Sequence, residues 1–293
     1  MNHSKSNIEK HKLRSYAGIF SSSAFGKALK LGNLSFLQNR IAKYDYYDFK
    51  NAKFENYLDY IKYAYSELGK NYRNEYFFKN SIINEAIIKH YSLEETIAFS
   101  EFKVGKSIAD LALFNGYSKS FEIKTKMDSP KRLTGQLMDY QKLFNFNYIV
   151  TESSQTEKYL KEDDNSGVIG LHYQKGKIQL TEVRSASDNQ SFDAEIAMKC
   201  MRTNEYKYVV KKYYGYLPQM TSFNMYEVCL AMIQEIPIKR LNELFIKAIK
   251  SRKNNTEILT KFELELRQLA LAMNLNDKKY QIIIDQLKKP IKL

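Results

Sequence analysis

Three charged residues near the middle of the sequence have the types and spacing that phosphodiester chemistry requires. Asp110 interrupts an otherwise apolar run at 107–114, where burying an unpaired carboxylate costs free energy. Glu122-Ile123-Lys124 follows twelve residues later. In a strand, residues two apart share a face, so Glu122 and Lys124 point one way and Ile123 points into the core. If the two strands pair, we expect Asp110 to lie beside Glu122.

Two neighbouring carboxylates repel each other, and a hard divalent cation removes that penalty. Asp110 and Glu122 would hold Mg²⁺ or Mn²⁺, which lowers the pKa of a bound water and polarises a phosphate. Lys124 would hold the attacking water and stabilise the developing negative charge. We expect Glu85, on a preceding helix, to act as a further ligand or as an orienting group; its alternative is a solvent-facing helix residue.

The segments around these residues predict the elements that position them. Helices are expected at 53–69, ended by Gly69, and from an N-cap at Asn74 to about His90. Strand-like runs follow at 95–104, 107–114 and 119–126, with a tight turn at Asn115-Gly116. The remaining segments are a helix from Ser129-Pro130 to about Phe144, a strand at 147–153, a hairpin at 168–173 and 177–183 around Lys175-Gly176, a linker at 185–191, and helices at 222–236, 239–252, 256–274 and 277–288.

One polar stripe on the predicted helix after the third strand supports the same site. Arg132, Gln136 and Tyr140 follow each other at intervals of four residues, so they lie on one helix face. Arg132 would bind phosphate, whereas Gln136 and Tyr140 would orient the site. Ordinary surface packing is the alternative explanation of this stripe.

The order αβββαβ, with Asp in the second strand and Glu-x-Lys in the third, resembles the PD-(D/E)XK (restriction endonuclease-like) nuclease superfamily. The resemblance covers about residues 74–153, and Ala109 stands where the family name has proline. It implies an α/β fold with this core on a mixed sheet, and cleavage of DNA, or less often RNA, with Mg²⁺ or Mn²⁺. Asp110, Glu122 and the Ile123 carbonyl would be metal ligands, and Lys124 the catalytic lysine. We expect an N-terminal helical region at 1–72, this core at 73–186 and a C-terminal helical domain at 187–293.

Composition agrees with a polyanionic partner. The net charge is +13, and such a potential attracts nucleic acid and anionic membranes alike. Two cysteines, Cys200 and Cys229, form no CxxC pair and fit a reducing compartment. No apolar run is long enough to span a membrane. We therefore expect a cytoplasmic protein.

Other motifs are weaker. Gly105-Lys106-Ser107 resembles the end of a P-loop, but it joins two strands and lacks the opening glycine, so we reject it. The four histidines are too scattered for a zinc hydrolase. The stretch 206–218 interleaves tyrosines with lysines, either to contact nucleic acid or to pack rings against helices.

Three functions remain open at this point. The first is the metal-dependent nuclease, in phage defence or DNA processing. The second is a catalytically inactive nuclease-like module that binds nucleic acid or docks a protein. The third is a component of a larger bacterial machine, in which the C-terminal helices mediate a homodimer or bind a protein partner.

Overall fold

The computed structural model describes residues 2–252 and 254–293 and shows a mixed α/β protein with a six-stranded mixed sheet. The chain divides into two compact units. The helical unit comprises Met1–His90, His172–Leu180 and Ile258–Leu293, and the sheet unit comprises Tyr91–Leu171 and Thr181–Glu257. These bounds differ from the three expected regions, because the last helices of the chain cluster with the first ones.

The first half of the helical unit is a series of short helices. They are α1 (Asn2–Ala17), α2 (Ser22–Leu31), α3 (Ser35–Arg40), a π-helical turn (Ile41–Asp45), α4 (Tyr46–Lys50), α5 (Tyr57–Asn71), α6 (Glu75–Ile82), a second π-helical turn (Ile83–Ile87) and α7 (Ile88–His90). The predicted cap at Asn74 is confirmed, since its side chain accepts a hydrogen bond from the Phe77 N–H. The prediction that Gly69 ends a helix is wrong. Gly69 lies inside α5, where a Cβ would come within 2.9 Å of the Tyr173 ring.

The sheet begins with three antiparallel strands, and the next two strands continue it in parallel. The strands are β1 (Ile97–Val104), β2 (Ser107–Asn115), β3 (Tyr117–Lys124), β4 (Phe146–Glu152), β5 (Gly167–Gln174) and β6 (Lys177–Arg184), in that order across the sheet. The turn at Asn115-Gly116 is confirmed, with Gly116 at a φ of 67°. It is so tight that β3 starts at Tyr117, two residues earlier than predicted. After the end of β3, the Asp128 carboxylate accepts the Thr125 N–H at 2.7 Å.

The helices of the sheet unit cover one face of β1 to β4. They are α8 (Leu133–Gln141), α9 (Thr156–Leu160), α10 (Ala194–Cys200), α11 (Thr203–Tyr214), α12 (Met225–Gln234) and α13 (Ile238–Lys250). The segment predicted as one helix from Ser129-Pro130 starts instead with a 3₁₀ turn at Pro130–Arg132, and α8 follows it. Residues of β1, β2, α8 and the later helices form one buried apolar cluster, which includes Phe102, Phe114, Leu137 and Phe245.

The last part of the chain differs from the predicted long helix at 256–274. It is broken into 3₁₀ turns (Thr256–Lys261 and Leu264–Leu266) and α14 (Arg267–Ala272), before α15 (Asp277–Leu287). Leu259, Phe262, Leu266 and Leu269 are all buried at spacings of three and four residues, which is why the sequence predicts one continuous helix here. Within the described residues, no helix has the length and apolarity needed to cross a membrane.

Candidate active site on strands β2 and β3

Asp110 lies where the pairing of β2 with β3 stops. The ladder runs from Asn115↔Tyr117 to Leu111↔Phe121, and one further step in register places Asp110 opposite Glu122. Opposite residues of an antiparallel pair point to the same face. At this position the Asp110 side chain replaces a backbone carbonyl as the hydrogen-bond acceptor, since its Oδ2 accepts the Ile123 N–H at 2.8 Å. The two predicted acids therefore belong to one end of the strand pair.

Glu122 is almost sealed from water, with 3% of its surface exposed. Its Oε1 accepts a hydrogen bond from Lys124 Nζ at 2.8 Å, and its Oε2 accepts one from the Tyr140 hydroxyl at 2.7 Å. A buried carboxylate requires such compensation, because desolvating an isolated charge is costly. Glu122 thus stands between a cation from its own strand and a neutral donor from α8.

Lys124 is also buried and holds two partners. Its Nζ donates to Glu122 and, at 2.9 Å, to Gln136 Oε1. The hydroxyl of Thr151, on β4, donates to the Lys124 carbonyl at 2.7 Å and fixes the backbone that carries the ammonium group. Thr151 was not predicted, because its position beside Lys124 depends on the parallel pairing of β3 with β4.

Helix α8 supplies the neutral polar groups. Gln136 and Tyr140 are one turn apart and both reach the strand residues, as the predicted stripe requires. The Tyr140 hydroxyl lies 2.7 Å from Glu122 and 2.8 Å from the Ile108 carbonyl; its single proton serves one acceptor at a time. Burial and the nearby Glu122 charge raise the pKa of Tyr140 well above its ordinary value, so the phenol remains a donor.

The two other predicted site residues, Arg132 and Glu85, form none of the hydrogen bonds described for this group. Arg132 ends the 3₁₀ turn before α8 and is exposed, whereas Gln136 and Tyr140 are turned toward the sheet. Glu85 belongs to the helical unit, where its carboxylate pairs with Lys89 and lines a cavity of about 430 Å³. The roles predicted for Arg132 and Glu85 stay predictions.

A divalent cation would find two carboxylates here. Among residues 2–252 and 254–293, no three His, Cys, Asp or Glu side chains are grouped to hold a metal. Mg²⁺ is commonly bound by one or two carboxylates, with water and phosphate oxygens completing its shell. The donor set of Asp110, Glu122 and the Ile123 carbonyl fits that chemistry. Lys124 must withdraw from Glu122 for the ion to reach both acids.

The β1–β2 turn shows why the P-loop resemblance fails. Val104 pairs with Ser107 across a two-residue turn, so Gly105-Lys106 joins two strands and feeds no helix. Asp139 of α8 accepts hydrogen bonds from the Lys106 N–H at 3.1 Å and the Ser107 hydroxyl at 2.7 Å. The turn therefore fixes the end of α8 against β2 and helps hold Tyr140 in place.

Glu101 is an irregular residue of β1 that sequence reasoning missed. Its φ is 63°, a left-handed value that costs free energy for a residue with a Cβ. Ser100 pairs with Leu111 and Phe102 with Ala109, so Glu101 falls level with Asp110 on the neighbouring strand. No sequence signal marks this residue, because the strain arises in the assembled sheet.

Comparison with known proteins identifies one family. The family model described as bacteriophage P4 protein cII matches residues 69–273, which is more than half of the chain. Protein cII of Enterobacteria phage P4 is 26% identical over 187 residues, covering 60% of this chain and 61% of that protein. The chain thus spans less than two thirds of this curated relative. A solved structure, a protein of unknown function from Silicibacter pomeroyi, is similar over 38% of this chain and 70% of its own, at 11% identity and a TM-score of 0.29.

Proposed function

The chain belongs to the bacteriophage P4 protein cII family, and we propose that it is a metal-dependent nuclease with a restriction endonuclease-like core. The observation that carries the proposal is the buried Glu122–Lys124 pair, with Asp110 on the neighbouring strand in the register opposite Glu122. Gln136 and Tyr140 contact the same two side chains. The net charge of +13 suits a nucleic-acid substrate.

Each residue of this group has a distinct chemical role. Asp110 and Glu122 would provide the oxygen ligands for Mg²⁺ or Mn²⁺, with the Ile123 carbonyl as a third. The cation, when bound, lowers the pKa of a coordinated water and polarises the phosphodiester. The hydrogen bond from Tyr140 orients the Glu122 carboxylate, and the bond between the Ile123 N–H and Asp110 keeps the second acid at the end of β2.

Lys124 acts on the charge that develops at phosphorus. In the structure its ammonium group forms a buried ion pair with Glu122 at 2.8 Å. With a dication held by Asp110 and Glu122, the Lys124 ammonium group would be available to the attacking water and to the phosphate oxygens. Gln136 restricts the position of Lys124 Nζ, because its side-chain oxygen accepts a hydrogen bond from the ammonium group. A donor held near the reacting phosphate stabilises the negative charge that develops in the transition state.

A second function is favoured by the same contacts. Both Glu122 oxygens and one Asp110 oxygen accept hydrogen bonds from the chain itself. Such a satisfied polar network also stabilises a core that binds nucleic acid without cutting it. This alternative requires binding and a fold that are indifferent to EDTA and to loss of Asp110.

Cleavage assays separate the two. The full-length protein is incubated with labelled single-stranded DNA, duplex DNA and single-stranded RNA, in Mg²⁺, Mn²⁺ or EDTA. We expect metal-dependent cleavage of at least one substrate, and a loss of at least about a hundredfold in Glu122→Gln and Lys124→Met. The exposed pair Glu195–Lys199 supplies matched controls, Glu195→Gln and Lys199→Met, which should cleave normally.

The metal itself is measured independently by calorimetric titration of Mn²⁺. Wild-type protein should bind it, and Asp110→Asn and Glu122→Gln should lose it while circular dichroism stays unchanged. Folded protein that neither cleaves any of the substrates nor binds Mn²⁺ contradicts the nuclease proposal and favours the binding module.

A further inference from the structure

Helix α11 and the two residues after it present a surface of tyrosines and lysines that the proposed cleavage site does not use. We call it the tyrosine–lysine ridge and define it by Tyr208, Lys211, Lys212, Tyr213 and Tyr216. Tyr208, Tyr213 and Tyr216 are 41%, 38% and 57% exposed. Both lysines are exposed as well. Large aromatic side chains at this exposure are more typical of binding surfaces than of solvated helix faces.

The burial pattern of α11 explains why these side chains face outward. Glu205, Tyr206, Val209 and Val210 are buried, and Tyr206, Val209 and Val210 belong to the core of the sheet unit. With 3.6 residues per turn, Tyr208 and Lys211 lie on the opposite side of the helix, and Lys212 lies at the border between the two sides. Tyr213 follows the buried residues around the helix, but it stands in the last turn, where its ring is exposed. The alternative expected for this stretch, that its tyrosines pack against neighbouring helices, holds for Tyr206 and Tyr214 and not for Tyr208.

The rings at the end of the helix are held in place before any ligand arrives. Tyr214 donates a hydrogen bond to the Met232 carbonyl on α12, at 2.9 Å. Its ring meets the Tyr213 ring edge-on at a centroid distance of 4.8 Å and the Tyr216 ring at 6.4 Å. The exposed rings of Tyr213 and Tyr216 therefore flank an anchored neighbour. Preorganisation of this kind reduces the entropy lost on binding.

Within the described residues of the sheet unit, no acid forms an ion pair with the lysines of the ridge. Glu205 is the single acid of α11, and it is buried and bonded through both oxygens to Arg252 at 2.7 Å. Across the described part of the chain, Lys211 and Lys212 form no ion pair, whereas Lys199 on α10 pairs with Glu195. Unpaired ammonium groups beside exposed rings match a ligand that alternates negative charge with flat aromatic groups.

We propose that the tyrosine–lysine ridge binds single-stranded nucleic acid. Tyr208, Tyr213 and Tyr216 would stack on bases, and Lys211 and Lys212 would contact phosphates. A single strand is favoured over a duplex because only unpaired bases offer their faces to a ring. The ridge contains no acid or metal ligand, so its binding is independent of the proposed cleavage and persists in EDTA.

The test measures fluorescence anisotropy of a labelled twenty-nucleotide oligothymidylate with the full-length protein in EDTA. Replacing Tyr208, Tyr213 and Tyr216 by alanine should raise Kd by roughly tenfold for each tyrosine. The matched control, Tyr46→Ala/Tyr47→Ala, removes two exposed rings of the helical unit, 43% and 82% exposed, and should leave Kd unchanged. A control that weakens binding as much as the ridge variant overturns the proposal.

The lysines have a separate readout. Lys211→Gln/Lys212→Gln should lower the slope of log Kd against log salt by about 1.4, since each phosphate contact on a single strand contributes about 0.7. Lys278→Gln/Lys279→Gln, on α15, should leave the slope unchanged. Equal competition by a duplex of the same length, or an unchanged Kd in folded ridge variants, contradicts the proposal. So does light scattering that shows the ridge variants losing self-association while oligonucleotide binding stays unchanged.

These results are distinguishable from failure of the proposed cleavage. Glu122→Gln should keep wild-type affinity for the oligonucleotide. Ridge variants should keep any hydrolysis of a small phosphodiester, bis(4-nitrophenyl) phosphate, because that substrate has one phosphodiester for the acids and Lys124 and no strand for the ridge to hold. Loss of oligonucleotide binding in Glu122→Gln, with the ridge intact, means that the cleavage site and not the ridge binds the strand.

Discussion

Replacing Lys124 by methionine removes an ammonium group from a carboxylate that has almost no contact with water. Glu122 is 3% exposed, and its partners are Lys124 Nζ at 2.8 Å and the Tyr140 hydroxyl at 2.7 Å. Removing one member of a buried ion pair costs about 3–5 kcal/mol, because the remaining charge keeps its desolvation penalty. Since Tyr140 still donates to Glu122, we expect a loss at the lower end, about 3 kcal/mol.

Hydrogen exchange followed by mass spectrometry measures this loss as a change in the opening free energy of β3 in metal-free buffer. The double variant Glu122→Gln/Lys124→Met removes both charges and should lose only about 1 kcal/mol. The control Lys199→Met breaks an exposed pair and should change stability by less than about 1 kcal/mol. A double-mutant cycle then gives the coupling between the two charges.

Metal binding adds a second measurement to the same variant. If Mn²⁺ occupies the site, adding it at about one hundred times its Kd should return about 2.7 kcal/mol to Lys124→Met. The reasoning is refuted if Lys124→Met loses less than about 1 kcal/mol, or if the double variant is as unstable as the single one. Either result means that water reaches Glu122 and that the pair is not a buried one.

Three further predictions follow from other parts of the structure. Burial alone would raise the pKa of Glu205, but the hydrogen bonds and charge of Arg252 lower it overall. The ion pair therefore stabilises the fold fully above about pH 4.3, the ordinary pKa of a glutamate, and this stabilisation disappears as pH falls through the lowered folded-state pKa. Urea unfolding of Glu205→Gln should therefore show a deficit of about 3 kcal/mol at pH 7 that shrinks in acid; a deficit constant with pH contradicts this. Burial raises the pKa of Cys200 to about 12, so alkylation at pH 8, followed by mass spectrometry, should be at least about tenfold slower than in urea, and equal rates would show an accessible thiolate. Gly69→Ala should destabilise the protein by about 1–3 kcal/mol in thermal unfolding, because its Cβ would lie 2.9 Å from the Tyr173 ring; a stabilised variant would mean that helix propensity outweighs the crowding.

Much of the sheet and of the candidate site could be predicted from local patterns. Alternating and apolar runs, interrupted by Asn115-Gly116 and Lys175-Gly176, marked the strands of the sheet to within two residues. The spacing of Glu122 and Lys124 placed both side chains on one face, and the contact between them confirms it. Helical spacing likewise brought Gln136 and Tyr140 to the same pair. In each case a short stretch of chain determines the geometry.

Less could be predicted where a segment packs against residues that are distant in the sequence. Hydrophobic periodicity shows which face of a helix is buried, but it does not show which of the other apolar faces packs against that helix. Sequence therefore indicated helices near the C-terminus, yet it did not show that 256–274 is broken, or that Ile258–Leu293 clusters with the first helices of the chain. The helices α10 and α11 were missed as elements, although Tyr206, Val209 and Val210 of α11 are buried at helical spacing.

The amino-acid sequence by itself determined which residues carry charge, which strand faces they occupy and how tightly β2 turns into β3, because these properties depend on neighbours a few residues away. Only the tertiary structure decided that Thr151 holds the Lys124 carbonyl, that Tyr140 reaches both Glu122 and the Ile108 carbonyl, and that Glu101 is strained beside Asp110. Those contacts depend on strand pairing and helix packing. Together, these bury the apolar surface and provide hydrogen-bond partners for the buried polar groups of the whole unit.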